Sequence, residues 1–162
     1  MSEVFSNQVV ANIEATLGTI IRKANGYYYD LPADQIFDIK VDLETEGHGD
    51  FRVSLYSSGW ENQQQGTNAA YGQVHQTVHF HLDGCLVVVD SWEKETSRAL
   101  ADLERAVTKD ISQGSTCIHT FVTSGQKFGM SPSNIASFTL SFDVEIRHAA
   151  NNPSEEYQTT YN

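Results

Sequence analysis

The sequence predicts an α+β fold, a two-layer sandwich in which two amphipathic helices pack on one face of a mostly antiparallel sheet, with a long polar loop insert. Apolar residues recur at three- and four-residue steps near residues 4–24 and 90–111, as on one face of a helix. Elsewhere apolar and polar residues alternate, as in strands with one buried face. This order of helices and strands favours one layer of helices packed on one sheet.

Length and composition bound the number of domains and the classes of partner. The chain has 162 residues, 40% of them hydrophobic and 19% charged, which is enough apolar material for one core. We expect a single domain over residues 1–148 and a flexible acidic tail or docking arm over 149–162. Ten Lys and Arg against 21 Asp and Glu give a formal net charge of −11, which disfavours nucleic-acid phosphates and acidic membranes as partners.

The first residues and the cysteines indicate the compartment. The chain begins without a basic segment or a long apolar run, so we expect neither a secretion signal nor a membrane span. Cys85 and Cys117 lie in apolar, strand-like surroundings and form no CxxC motif. They are expected to be buried free thiols in a reducing compartment.

The first predicted element is a helix over about residues 4–24. Its apolar positions are Val9, Val10, Ile13, Leu17, Ile20, Ile21 and Ala24. Asn25-Gly26 ends the helix, because glycine accepts the left-handed conformation that closes a helix. The tyrosines at 27–29 follow, and we expect their aromatic bulk to seal one edge of the core.

A hairpin and a polar insert are predicted next. Apolar residues alternate with charged ones over 37–43, and apolar residues alternate again over 51–56, which indicates two paired strands. Residues 57–72 offer almost nothing to bury, although they include Trp60 and Tyr71. This composition predicts a long polar loop that moves or docks.

The following strand has two interpretations. Val74, Val78, Phe80 and Leu82 share one face. Asp83-Gly84 then offers a tight turn into the apolar run at 85–89, which would make that run a separate interior strand. A bulge at this point that continues the previous strand would have the same pattern.

The second helix is predicted to begin near 90–93, where the sequence has a capping-box pattern, with Thr96 as a rival cap. Its predicted buried stripe consists of Leu100, Leu103, Ala106, Val107 and Ile111. Asp102 and Glu104 are assigned to its solvent face.

Two strands and a second polar loop complete the domain. A short strand is predicted over 117–122 and a polar loop over 123–136. The last strand, 137–147, shows the clearest alternation in the chain and has its apolar side chains on one face.

One histidine cluster is a candidate metal site. His75, His79 and His81 project with Asp83 from the same side of a strand, where neutral imidazoles could share a metal. A solvated strand face explains the same residues, and we favour it. No cofactor is therefore expected.

The sequence contains no motif for covalent catalysis or for phosphate binding. Cys117 and His119 share one side of the predicted short strand, which is the best nucleophile and base that the chain offers. We predict no catalytic residue and a protein that is not an enzyme.

Three stretches resemble the tail terminator, or tail completion, proteins of long-tailed bacteriophages. Residues 24–31, Ala-Asn-Gly-Tyr-Tyr-Tyr-Asp-Leu, are similar to an Asn-Gly-Tyr-x-x-Asp step of that family. The run 87–90 leads into Ala-Leu-Ala-Asp-Leu-Glu-Arg-Ala-Val at 99–107, which resembles the family's strand followed by a "leucine, x, Asp-Ile-Glu, x, Ala" helix. Residues 138–146 look like its final strand. The resemblance covers about residues 8–147.

The resemblance implies a structural virion protein that forms a ring, expected to be a hexamer. Such a ring caps the tail tube, stops its growth and joins it to the connector at the head-proximal end. Its partners would be copies of itself, the tail tube protein and a neck or connector protein, and DNA would pass through it. It would assemble in the host cytoplasm and reside in the virion tail.

Four apolar side chains in the predicted polar loops are candidate contacts between subunits or with the tube. They are Trp60 and Tyr71 in the first polar segment, and Phe128 and Met130 in the second. Buried aromatic anchors concentrate binding energy at interfaces. They could also fold back onto the core of the subunit itself.

Two other functions remain open: a head-to-tail completion or neck protein of similar construction, and a small metal-dependent enzyme using the three histidines.

Overall fold

The computed structural model describes residues 5–62, 73–111, 113, 117 and 119–149. The helices are α1 (Phe5–Ile20), α2 (Leu43–Glu46) and α3 (Trp92–Val107), with 3-10 turns at Lys23–Asn25 and Ala33–Gln35. The strands are β1 (Ile36–Phe37), β2 (Phe51–Asn62), β3 (Gln73–Val87), β4 (His119–Met130) and β5 (Ile135–Ala149).

The strands form one sheet in the order β1-β2-β3-β5-β4. The two-residue β1 runs parallel to β2, and the other neighbouring pairs are antiparallel. The long helices α1 and α3 contact each other and pack against the sheet. The predicted α+β class, with helices packed on a mostly antiparallel sheet, is confirmed.

One apolar core lies between the helices and the sheet. α1 contributes Val9, Ile13 and Leu17, and α3 contributes Leu103 and Ala106. The largest side chains come from the sheet and include Phe51, Phe80, Phe138 and Phe142. Every second residue of β5 from Phe138 to Ile146 is buried, as its alternation predicts.

α1 ends at Ile20, before the predicted end near residue 24, and the glycine predicted to close it ends a separate 3-10 turn at Lys23–Asn25. Gly26 has φ 84° and follows the 3-10 turn, so the left-handed conformation falls on the one residue type without a Cβ. Tyr27 and Tyr29 pack onto the core as predicted, whereas Tyr28 is exposed.

The predicted hairpin of residues 37–43 with 51–56 is wrong. Only Ile36 and Phe37 pair with β2, and they do so in parallel. The chain then leaves the sheet, because Asp42 accepts a hydrogen bond from the Glu44 backbone N–H at 3.1 Å and begins α2. A side-chain cap therefore overrides the alternating pattern.

Residues 73–87 form one uninterrupted strand, so the tight turn predicted at Asp83-Gly84 is wrong. The alternative is correct in that the strand continues, but its register passes Asp83 and Gly84 without a bulge. A Cβ on Gly84 would lie 2.2 Å from Cε2 of Phe138 on the neighbouring strand. The glycine therefore makes room for an aromatic ring and does not mark a turn.

The described part of the first predicted polar loop and most of the second are strand. Ser57–Asn62 extends β2 against β3, although residues 63–72, including Tyr71, lie outside the described residues. Residues 123–130 extend β4, and a short turn at 131–134 joins it to β5. Residues 150–162, the greater part of the predicted tail, also lie outside the described residues.

The second helix begins after Ser91, whose side chain makes no capping hydrogen bond. Glu95 instead accepts hydrogen bonds from the backbone N–H groups of Val89 and Asp90, at 3.0 and 2.9 Å. The predicted stripe is confirmed at Leu103, Ala106 and Val107, but Leu100 is half-buried and Ile111 is exposed.

Candidate functional site

The sheet face opposite the helices carries a row of polar contacts across β2, β3 and β5. His79 lies at its centre, with Nδ1 2.7 Å from Asp143 Oδ1 and Nε2 2.8 Å from Glu61 Oε1. The hydrogen bond to Asp143, and then that to Glu61, raise the pKa of His79. A protonated His79 donates to both carboxylates and ties three strands together.

His81 occupies the next row, and its ring nitrogens lie 2.9 Å from the hydroxyls of Ser141 and Ser58. His75 lies on the same strand, where burial and then the charge of Arg147 lower its pKa. In the part of the chain that the structure describes, no three His, Cys, Asp or Glu side chains are arranged to hold a metal ion. The ring nitrogens of His79 and His81 are instead used in contacts between strands.

Asp83 belongs to the same polar face. Its Oδ1 accepts hydrogen bonds from Thr139 Oγ1 at 2.7 Å and from the Tyr56 hydroxyl at 3.2 Å. Burial, and then the charge of Asp83, raise the pKa of Tyr56 to about 12, so this phenol stays a neutral donor. Lys40 lies 5.2 Å from the centre of the Tyr56 ring.

A groove of about 340 Å³ adjoins this cluster, lined by Lys40, Tyr56, Cys85 and Phe128 among others. Burial raises the pKa of Cys85 to about 11, which leaves it a poor nucleophile near neutral pH.

Burial also raises the pKa of Cys117, whose Sγ lies 3.5 Å from Thr120 Oγ1. Both cysteines are free, but Cys117 is only half-buried.

Asp102 on α3 is the residue whose role the sequence interpretation missed. It is 2% exposed, so its assignment to the solvent face is wrong. Its two carboxylate oxygens accept the backbone N–H groups of Tyr28 at 3.1 Å and Tyr29 at 2.9 Å. Burial raises its pKa, and these two hydrogen bonds act in the opposite direction. The spacing of Asp102 on the helix indicates its burial, because it lies three residues after Ala99, which is buried.

Arg105 makes a second contact between α3 and the same loop. Its Nη1 donates to the Gly26 carbonyl at 3.0 Å, and its guanidinium lies 4.3 Å from the centre of the Tyr27 ring. Asp30 accepts the backbone N–H of Lys23 at 2.8 Å and closes the loop. Two of the stretches that carry the family resemblance, residues 24–31 and 99–107, are therefore in direct contact.

The two edge positions of the sheet leave part of the backbone of β2 and β4 without a neighbouring strand among the described residues. Among the described residues, β1 covers only Val53 and Ser54 of the β2 edge, and no strand pairs with the outer edge of β4. The edge of β2 from Leu55 onward and the edge of β4 therefore present backbone groups that strand pairing within the described subunit does not use. Such edges pair readily with another chain.

The predicted contact residues that the structure describes are all exposed: Trp60 by 59%, Phe128 by 60% and Met130 by 46%. Trp60 lies in the row of Val144 and Met130 in the row of Ala136, eight residues apart along β5. At the rise of a strand this spacing is about 27 Å, so the side chains lie toward opposite ends of the sheet.

No protein-family model matches the sequence, and the search of curated proteins gives no match. None of the helices within the described ranges is long and apolar enough to cross a membrane.

Proposed function

We propose that this protein is a structural subunit of a bacteriophage virion, a tail terminator that forms a ring at the head-proximal end of the tail tube. The observation that carries the proposal is the contact between residues 24–31 and 99–107 through Asp102 and Arg105. Asp102 and Tyr28 are 74 residues apart in the chain. The two short resemblances thus form one three-dimensional unit.

A ring subunit needs two different surfaces that meet head to tail and close by rotation. The available edges of β2 and β4 lie on opposite sides of the sheet and supply two such surfaces. Trp60 and Phe128 add exposed aromatic anchors that association can bury. In this role the ring covers the end of the tube, prevents further subunits from adding and offers its other face to a connector.

The charge of the chain suits a ring that surrounds DNA. Each copy contributes a formal charge of −11, and a hexamer multiplies this value. An acidic lumen repels phosphates, so DNA passes without adhering. The role requires no covalent chemistry and no cofactor.

The experiment that tests this proposal adds the purified protein to growing tail tubes of the virus that encodes it. Electron microscopy is expected to show a ring at one end of each tube and tubes that stop lengthening. Tubes that lengthen unchanged and carry no added density would contradict a terminator. A ring that binds only the head connector would favour the neck protein instead.

A further inference from the structure

The groove of about 340 Å³ beside Asp83 combines a carboxylate, an exposed aromatic ring and hydroxyl groups. We propose that this Asp83 groove binds the guanidinium group of an arginine side chain from a partner protein, between the Asp83 carboxylate and the Phe128 ring. The inference goes beyond the proposed ring, because the site would exist on the subunit in any assembly.

The floor of the Asp83 groove consists of short side chains on the sheet face opposite α1 and α3. Two neighbouring strand pairs supply it, Asp83 with Thr139 and Cys85 with Ser137. Gly84 lies between Asp83 and Cys85 and adds no side chain. The short floor leaves an open space into which a side chain of another molecule can enter.

Both sides of the groove are held in place by the fold. On one side residues 40–43 lie against β2, where Arg52 Nη1 donates to the Leu43 carbonyl at 2.7 Å. On the other side Phe128 lies at a β-bulge of β4, and such bulges re-aim a side chain. The Phe128 ring lines the groove and is 60% exposed, as aromatic anchors of protein interfaces are before association.

Asp83 is a carboxylate that the subunit orients without neutralising it. Its Oδ1 accepts hydrogen bonds from Thr139 Oγ1 at 2.7 Å and from the Tyr56 hydroxyl at 3.2 Å. Among the described residues, its Oδ2 accepts no hydrogen bond and the carboxylate forms no ion pair. Two hydroxyls therefore fix the direction of the carboxylate, and one oxygen is available to a charged donor.

The charges around the floor favour a cation. Burial has the largest effect on the Cys85 thiol and raises its pKa. Three carboxylates raise this pKa further, and they are Glu44, Asp42 and Asp83. The charge of Arg52 acts in the opposite direction. With three carboxylates against one guanidinium, the electrostatic potential at the floor attracts a positive group.

A guanidinium suits these groups better than an ammonium. It is planar, so it can stack on the Phe128 ring while it donates to Asp83 Oδ2. Ser137 is the diagonal neighbour of Asp83 on the paired strand, a spacing of about 7–8 Å that a guanidinium can bridge. The Ser137 hydroxyl lines the groove and has no hydrogen-bond partner within the described ranges.

The test is isothermal titration calorimetry of the full chain with the peptide acetyl-Gly-Arg-Gly-amide, which should bind the wild type in the millimolar range. Asp83→Asn should raise the dissociation constant about tenfold or more, because the amide still accepts from Thr139 and Tyr56 but carries no charge. Glu46→Gln is the matched control. It removes an exposed carboxylate outside the groove and should change binding by less than about twofold.

The aromatic side of the groove has its own variants. Phe128→Ala should raise the dissociation constant about three- to fivefold, and Phe128→Leu should lose as much because it lacks an aromatic face. Trp60→Ala is the matched control, since Trp60 is 59% exposed and lies outside the groove, and it should leave binding unchanged. Lys40→Ala should strengthen binding, because it removes a cation that lines the groove.

Two further ligands define the chemistry. The same peptide with lysine in place of arginine should bind at least about threefold more weakly, because an ammonium cannot stack or bridge. Agmatine, a free guanidinium compound, should bind no more tightly than the arginine peptide. Agmatine binding about tenfold tighter than the peptide would overturn the assignment to a protein partner.

The guanidinium site itself is overturned by any of three results. They are equal binding of the lysine and arginine peptides, equal binding by wild type and both Asp83→Asn and Phe128→Ala, and no binding to wild type at about 10 mM peptide. None of these results bears on the ring, which is tested by assembly.

Discussion

Asp102 holds the backbone of a loop that lies 74 residues earlier in the chain. Replacing it with alanine removes the acceptor of two N–H groups, those of Tyr28 and Tyr29. We expect D102A to lower the free energy of unfolding by about 2 kcal/mol, the usual cost of buried groups left without a hydrogen bond. Urea unfolding measures this difference.

Glu104, two residues further along α3 and exposed, provides the control. E104A should change stability by no more than about 0.5 kcal/mol, as is usual for surface positions. Equal losses in the two variants would show that Asp102 does not stabilise the loop.

The raised pKa of His79 predicts that the free energy of unfolding depends on pH. Its folded pKa is raised above 6.5 by Asp143 and then Glu61, so its contribution is fully present below pH 6.5 and is lost as the pH rises through the folded pKa. The difference in unfolding free energy between wild type and H79Q should therefore be larger at about pH 6 than at about pH 9.

The carboxylate variants give the corresponding control. D143N removes the stronger partner and should abolish most of this pH dependence, whereas E61Q removes an exposed partner and should reduce it less. A wild-type to H79Q difference that stays constant over this range would exclude the proposed role of the imidazolium.

At the residue scale the sequence placed the outward face of β3 correctly but not its contacts. The spacing of His75, His79 and His81 predicts a shared face, and the strand confirms it. Asp143 and Ser141, the partners of His79 and His81, come from a strand more than 50 residues away, and the pairing register cannot be derived from local alternation.

At the scale of the strands, Gly84 determines how β3 packs against β5. In G84A the new Cβ would lie 2.2 Å from Cε2 of Phe138. We expect the variant to lose about 1–3 kcal/mol of unfolding free energy, the cost of overpacking a filled core. Thermal or urea unfolding would measure it.

G125A is the matched control on β4, because its Cβ would meet Leu100 at an ordinary 3.7 Å. Its stability should change by less than about 1 kcal/mol. If G84A were as mild as G125A, the close contact with the Phe138 ring would not explain the glycine.

The accuracy of the predicted elements follows from how far each is determined locally. α1 and β5 have long patterns with one buried face, so sequence periodicity locates them. The second half of β4 is mostly exposed and has no alternating apolar pattern, so its strand conformation depends on pairing with β5 and cannot be derived from its own residues. The strand predicted over residues 37–43 is wrong because Asp42 caps α2, and this local helix competes with the strand that the alternating pattern indicates.

At the scale of the whole molecule, the structure is a layer of helices on a sheet with two available edges. Composition and pattern predict the layers, because both depend on one buried face per element. The edges could not be predicted, since strand order arises from pairings between segments far apart in the chain. Assembly therefore depends on edges that form only when the subunit is folded.

Native mass spectrometry of the purified full chain tests the central claim most directly. A subunit with two available edges should give one closed species of fixed stoichiometry, expected to be a hexamer, with a larger oligomer absent at higher concentration. A monomer at every concentration, or a ladder of masses that grows without limit, would contradict a closed ring.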